Sequence, residues 1–129
     1  MPQNENATAP FDQAEVLVVD DDENYRRIAV LRLSAAGCRC YEASGGDEAL
    51  AALHLRPGIS VVLLDHTMYG RDPGELISRI REQRPKVDII GHSNADRAKE
   101  FRALGVEAFL RKPLVVDDLR RLIQGGTGI

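Results

Sequence analysis

The chain has 129 residues, 43% hydrophobic and 29% charged, enough apolar material for one soluble domain with a core of its own. No apolar run approaches the ~20 residues of a membrane span, and no basic stretch followed by an apolar one marks an export signal. A net charge of −3 with no basic block argues against direct binding of nucleic acid. The two cysteines, Cys38 and Cys40, stand two apart in an expected strand. They share a face but lie too far apart along it for an easy disulfide, so they read as buried thiols, and the cytoplasm is the expected compartment.

Residues 1–13 are polar and read as a flexible tail ahead of a domain at 14–124. Glu15-Val16-Leu17-Val18-Val19 is an apolar run that ends in Asp20, Asp21 and Asp22. Residues 23–36 form an amphipathic helix with an acidic start, an expected inward stripe of Ile28, Leu31 and Ala35, and a stop at Gly37. Residues 38–43 read as a second strand, and Ser44 as the cap of a helix over about 47–55, ended by Pro57-Gly58. Gly45-Gly46 has the wrong pattern for a nucleotide-phosphate loop and reads as a turn.

Ser60-Val61-Val62-Leu63-Leu64-Asp65 is the pattern of a strand buried on both faces that runs into a lone acid. A loop through Gly70 and Gly74 leads to a helix with Leu76, Ile77 and Ile80 inward, ending before Pro85. Residues 87–92 are a fourth strand, 95–104 a helix with Ala98 and Phe101 inward, 106–110 a fifth strand, and 115–124 a helix with Leu119, Leu122 and Ile123 inward. Residues 125–129 read as a flexible end. Five strands alternating with five helices at short spacing predict a doubly wound, five-stranded parallel sheet with helices on both faces.

In such a sheet the crevice beyond the carboxyl ends of the strands is where ligands sit. Asp20 and Asp21 follow the first strand, Asp65 the third, Ser93 the fourth, and Lys112-Pro113 the fifth. Three carboxylates crowded at one edge repel one another, a conflict that a hard divalent cation, most naturally Mg²⁺, resolves. A lysine and a hydroxyl beside carboxylates and Mg²⁺ suit phosphoryl transfer, with Asp65 as the nucleophile that becomes an aspartyl phosphate. His66 and His92 flank the site without a third ligand at metal spacing, and His54 lies near a helix end; all three read as ordinary histidines. Asp22 reads as a helix-start acid.

These residues, in this order at strand ends, resemble a response-regulator receiver domain of flavodoxin-like fold over about 15–124. The resemblance places the family's acidic pair on Asp20 and Asp21 in Val18-Val19-Asp20-Asp21. It places the phosphoacceptor on Asp65 in Leu63-Leu64-Asp65-His66-Thr67-Met68, the switch hydroxyl on Ser93 and the lysine on Lys112 before Pro113. It further implies Mg²⁺ held by Asp20, Asp21, Asp65 and the backbone carbonyl of Thr67, an aromatic switch at Phe109, and a cis Lys112–Pro113 bond. The implied role is a Mg²⁺-dependent phosphoaspartate switch in a two-component phosphorelay, a signalling domain rather than an enzyme. Its expected partners are a histidine kinase or phosphotransfer protein and an output partner that the sequence does not identify; a homodimer is compatible with it, and no membrane contact is expected.

The pattern departs from the family at four places. Tyr69 stands where proline is usual, Ser93 where threonine would add a packing methyl, Asn94 where a small residue is usual, and Leu114 where phenylalanine is common. Tyr69 and Asn94 bear on phosphorylation rate and lifetime, and Leu114 on packing. Two rival readings follow from the same residues. One is an interaction module of this fold that works without phosphate. The other is a haloacid-dehalogenase-like phosphatase, suggested by Asp20-Asp21-Asp22, although Asn24 breaks that motif and the chain has no room for a cap domain.

Overall fold

The computed structural model describes residues 13–66 and 72–128, with side chains through residue 123; Thr67, Tyr69 and nearly all of the expected N-terminal tail lie outside the described residues. Strands β1 (Glu15–Val19), β2 (Arg39–Ala43), β3 (Val61–Leu64), β4 (Asp88–Ser93) and β5 (Ala108–Arg111) form one sheet in the order β2-β1-β3-β4-β5. Every pairing is parallel. Between and after the strands run α1 (Glu23–Ala35), α2 (Gly46–Leu55), α3 (Pro73–Gln83), α4 (Ala98–Ala103) and α5 (Val116–Gly128).

All four residues of β3 are buried, because β3 sits mid-sheet with helices on both faces. Val62 and Leu64 enter one core with Leu17 and Val19 of β1, Ala49 and Leu53 of α2, Leu76, Ile77 and Ile80 of α3, and Phe101 of α4. Val61 and Leu63 enter the other, with Val16 and Val18 of β1, Ala29 and Leu33 of α1, and Leu119 of α5. Each such aliphatic side chain is worth about 1.5–3 kcal/mol on burial, so β3 ties the two layers together. The order reverses between β1 and β3, whose following helices cover opposite faces, and the crevice at that switch point is where Asp20 and Asp65 emerge. Val19 pairs with Leu64, which brings the two strand ends level.

Four expectations need correction. Ile28 (46% exposed), Leu31 (69%) and Ala35 do not form the inward stripe of α1; Ala29 and Leu33 do. Ser44 is not the cap of α2: the N-cap is Gly45, and Ser44 instead donates from its amide (2.7 Å) and hydroxyl (2.9 Å) to Glu48 in the first turn. Helix α4 begins at Ala98 rather than residue 95, because the amides of Ala95 and Ala98 are taken by Ser93 Oγ and Asp96 Oδ1 in local turns. Helix α5 runs on through Gly128, past the glycines at which composition suggested a stop. Cys38 is buried and Cys40 half-buried, on one face and as thiols. Gly91 of β4 meets Phe101 closely enough that a Cβ there would fall 2.5 Å from the ring, so the phenylalanine lies flat on the strand only because this residue has no side chain.

Candidate functional site

Asp20 leaves β1 with its amide bound to the carbonyl of Ala43 at 3.0 Å, and Asp65 leaves β3 bound to the carbonyl of Val19 at 3.0 Å. Their positions are thus set by the sheet itself. Both are buried, Asp20 at 2% and Asp65 at 7% exposure, while Asp21 is half-buried. One carboxylate oxygen from each of Asp20, Asp21 and Asp65 lies within 4.8 Å of the other two. Asp22 caps α1, accepting from the amide of Tyr25 at 3.1 Å, as its reading as a helix-start acid required.

Lys112 reaches this cluster from the far end of β5. Its amide donates to the carbonyl of Ser93 at 2.8 Å, and its bond to Pro113 is cis. Its Nζ donates to Asp20 Oδ2 at 2.5 Å and stands 3.5 Å from Asp65 Oδ1. Burial opposes the ammonium charge, but the hydrogen bond to Asp20 and the fields of Asp65 and Asp20 more than offset it, so the lysine pKa is raised and the cation is secure. The Asp65 carboxyl is pushed up to about 6, by burial first and by the charge of Asp20 second, against the opposing pull of Lys112. A cluster in which one ammonium faces three acids keeps a negative excess, and hard oxygen donors at this spacing fit a small divalent cation.

Ser93 is buried at the end of β4, its Oγ accepting from the amide of Ala95 at 3.3 Å. Asn94 is exposed, and its carbonyl accepts from Arg111 Nε at 3.3 Å. Phe109 is half-buried on the face of the first core, its ring 5.9 Å from that of Phe101, which in turn meets His66 edge-on at 5.6 Å. The predicted residues Asp20, Asp21, Asp65 and Lys112 therefore meet at one edge of the sheet, with Ser93 bonded to the Lys112 backbone.

Arg26 and Tyr25 carry no sequence signal for a role around the site, and His92, which flanks it in the sequence, reads there as an ordinary histidine. Arg26 donates to the Asp20 carbonyl at 2.7 Å and to Glu42 at 2.8 Å, fixing the turn that carries the acidic pair. The Tyr25 ring lies 4.5 Å from Lys112 Nζ, and the Tyr25 hydroxyl is 2.7 Å from Nε2 of His92. His92 lies in β4, as the strand expected over 87–92 implied; it is buried, and it joins no metal-ligand cluster among the described residues.

The sequence model of the response regulator receiver domain matches residues 16–124. The chain belongs to that family. Receiver relatives of known role include the DNA-binding transcriptional regulator NtrC of Salmonella typhimurium, 33% identical over 84% of this chain but 24% of its own length. Another is the sensor histidine kinase RcsC of Escherichia coli, 31% identical over 95% of this chain and 13% of its own. The chain thus spans a quarter or less of these curated relatives. Among solved structures, a response regulator receiver protein from Pseudomonas putida is similar with a TM-score of 0.75 and 32% identity, covering 88% of this chain and 97% of its own. The chemotaxis protein CheY4 of Vibrio cholerae is similar at 0.75 and 26%, over 88% and 98%. The match bears out the flavodoxin-like receiver fold expected from the strand-end residues and sets aside the phosphatase reading. Among the described residues of this receiver, no helix is long and apolar enough to cross a membrane.

Proposed function

We propose that this receiver is a phosphorylation switch, with Asp65 as the phosphoacceptor. The observation that carries the reading is the meeting of Asp20, Asp21 and Asp65 within 4.8 Å with Lys112 between Asp20 and Asp65. Asp20, Asp21 and Asp65, with the Thr67 carbonyl that lies outside the described residues, would hold Mg²⁺. Bound there, the cation neutralises charge on the carboxylates and on the phosphoryl oxygens.

The chain's own residues do the rest. A carboxylate oxygen of Asp65 attacks phosphorus in line; the P–N bond of a partner's phosphohistidine, or the P–O bond of a small acyl phosphate, breaks, and its electron pair leaves with the imidazole or carboxylate. Lys112 leaves its pairing with Asp20 far enough to meet a phosphoryl oxygen, and the Ser93 hydroxyl gives up the Ala95 amide to donate to another. Drawing Ser93 inward opens space that Phe109 can take, which shifts an existing equilibrium at the face of α4, β5 and α5. The relatives' names carry both sides of such a relay, a sensor histidine kinase and a transcriptional regulator. We take a histidine kinase or phosphotransfer protein as the donor, and the cytoplasm as the compartment.

Intact-mass analysis after incubation with acetyl phosphate tests the reading. A single phosphoryl adduct that requires Mg²⁺ and is absent in Asp65→Asn is the expected result. A folded protein that takes no adduct from intact phosphodonor would leave the phosphate-independent interaction module in its place.

A further inference from the structure

Tyr25, in the first turn of α1, and His92, on β4, have no part in the phosphoryl-transfer reading, yet they make a partly buried polar contact, Tyr25 packing against the second core. His92 is 2% exposed, and its Nδ1 lies 2.9 Å from the carbonyl oxygen of Leu110, its partner in the β4–β5 register. A carbonyl only accepts, so Nδ1 carries a proton. Burial lowers the imidazole pKa, so the ring is neutral near pH 7 and Nε2 is left as an acceptor. The Tyr25 hydroxyl therefore donates to Nε2 at 2.7 Å, and it accepts from the amide of Leu114 at 2.9 Å. Each group in this series has one consistent role: Leu114 N–H to Tyr25, Tyr25 O–H to His92, His92 N–H to Leu110. The series ties α1 to β4, to β5 and to the segment just after Pro113.

The ring held in this way is the one that lies 4.5 Å from Lys112 Nζ. A lysine side chain is a point charge on a flexible stem, and freezing it costs rotamer entropy. An aromatic face attracts the ammonium without a formal charge of its own, so it restrains Nζ without neutralising it. We infer that Tyr25 is a positioning residue for Lys112: its ring, fixed by Leu114 and His92, holds the ammonium at the gap between Asp20 and Asp65. The inference rests on the reading of Lys112 as the group that meets the phosphoryl oxygen. A tyrosine that merely fills space would support the fold without acting through the lysine, and a double-variant comparison separates the two.

The rate of phosphorylation by acetyl phosphate at saturating Mg²⁺ is compared in wild type, Tyr25→Leu, Tyr25→Phe, Lys112→Ala and Tyr25→Leu combined with Lys112→Ala, with folding of each checked by circular dichroism. Tyr25→Leu is expected to slow the reaction between about two- and thirty-fold, the span of a cation–π contact. Tyr25→Phe, which keeps the ring but loses the hydrogen bonds that fix it, should fall between wild type and Tyr25→Leu, and Tyr25→Leu should have no further effect where Lys112 is already alanine. A wild-type rate in folded Tyr25→Leu, or equal slowing with and without Lys112, overturns the proposal. The ammonium proton signal of Lys112 in nuclear magnetic resonance, assigned with Lys112→Arg, gives a reading independent of phosphate. It should be moved upfield by the ring in wild type and Tyr25→Phe but not in Tyr25→Leu, nor in Tyr25→Met if leucine unfolds the chain; an unmoved wild-type signal sinks the inference. A chain that takes no phosphate yet shows the moved signal would lose the phosphoryl-transfer reading and keep the restraint on Lys112.

Discussion

Asp65, just past β3, and His92, on the neighbouring β4, are buried titratable groups, and the fold opposes the charge of each. For Asp65 the folded pKa, about 6, lies above that of an unfolded aspartate, because burial and Asp20 disfavour the anion. The folded state then holds the extra proton between about pH 4 and 6, and stability from this group is lost as pH rises through that window. For His92 burial lowers the folded pKa, so the unfolded chain binds the extra proton, and stability is lost as pH falls below the ordinary histidine range. The two effects oppose each other in overlapping windows, so variants must separate them. Asp65→Asn should be more stable than wild type in chelator at pH 7.5, by on the order of 2 kcal/mol, and the gain should shrink by about 1 kcal/mol at pH 5. His92→Val should be destabilised at pH 7.5, where it strands the Tyr25 hydroxyl, and less so at pH 5.5. Urea midpoints at each pair of pH values check both; a gain for Asp65→Asn that grows on acidification would contradict the raised carboxyl.

Within single elements, apolar spacing located the helices but did not always choose the buried face. Helix α1 offers two overlapping stripes at helical spacing, Ile28-Leu31-Ala35 and Ala29-Leu33-Ala36, and the first has the larger side chains. The structure buries Ala29 and Leu33, because a helix lying close on a sheet favours a small residue at the contact. Leu33→Ala should therefore cost about 2–5 kcal/mol of unfolding free energy, while Leu31→Gln should stay within about 0.5 kcal/mol of wild type. Equal losses in a urea titration would return the inward stripe to Leu31. The late start of α4 has a similar origin. Ser93 and Asp96 take nearby amides for turns, and apolar periodicity carries no signal for that competition. Where strand ends were concerned the sequence was far more legible, since an apolar run meeting an acid marks both the element and the residue that leaves it.

At the level of the molecule, the same asymmetry explains which parts of the candidate site could be read in advance. A parallel sheet delivers the ends of β1, β3, β4 and β5 to one edge whatever the helices do, so Asp20, Asp65, Ser93 and Lys112 were legible as a set. Arg26 on Asp20, and Tyr25 between Lys112 and His92, depend on how α1 docks across strands many residues away, and no local pattern encodes that. The assembled edge brings three acids from two strands against one lysine from a third, so cation binding should act on the stability of the whole domain. A ligand that binds only the folded chain adds about 2.7 kcal/mol at a hundredfold excess over its dissociation constant. Mg²⁺ should accordingly raise the thermal midpoint with its concentration, and Asp21→Asn and Asp65→Asn should each demand more Mg²⁺ for the same rise. Lys112→Ala should demand less, because the ammonium 2.5 Å from Asp20 competes for the same carboxylate. Differential scanning calorimetry across a Mg²⁺ series reads all four proteins. A midpoint in wild type that does not respond to Mg²⁺, with Ca²⁺ and Mn²⁺ equally without effect, would mean that Lys112 alone balances the acidic edge.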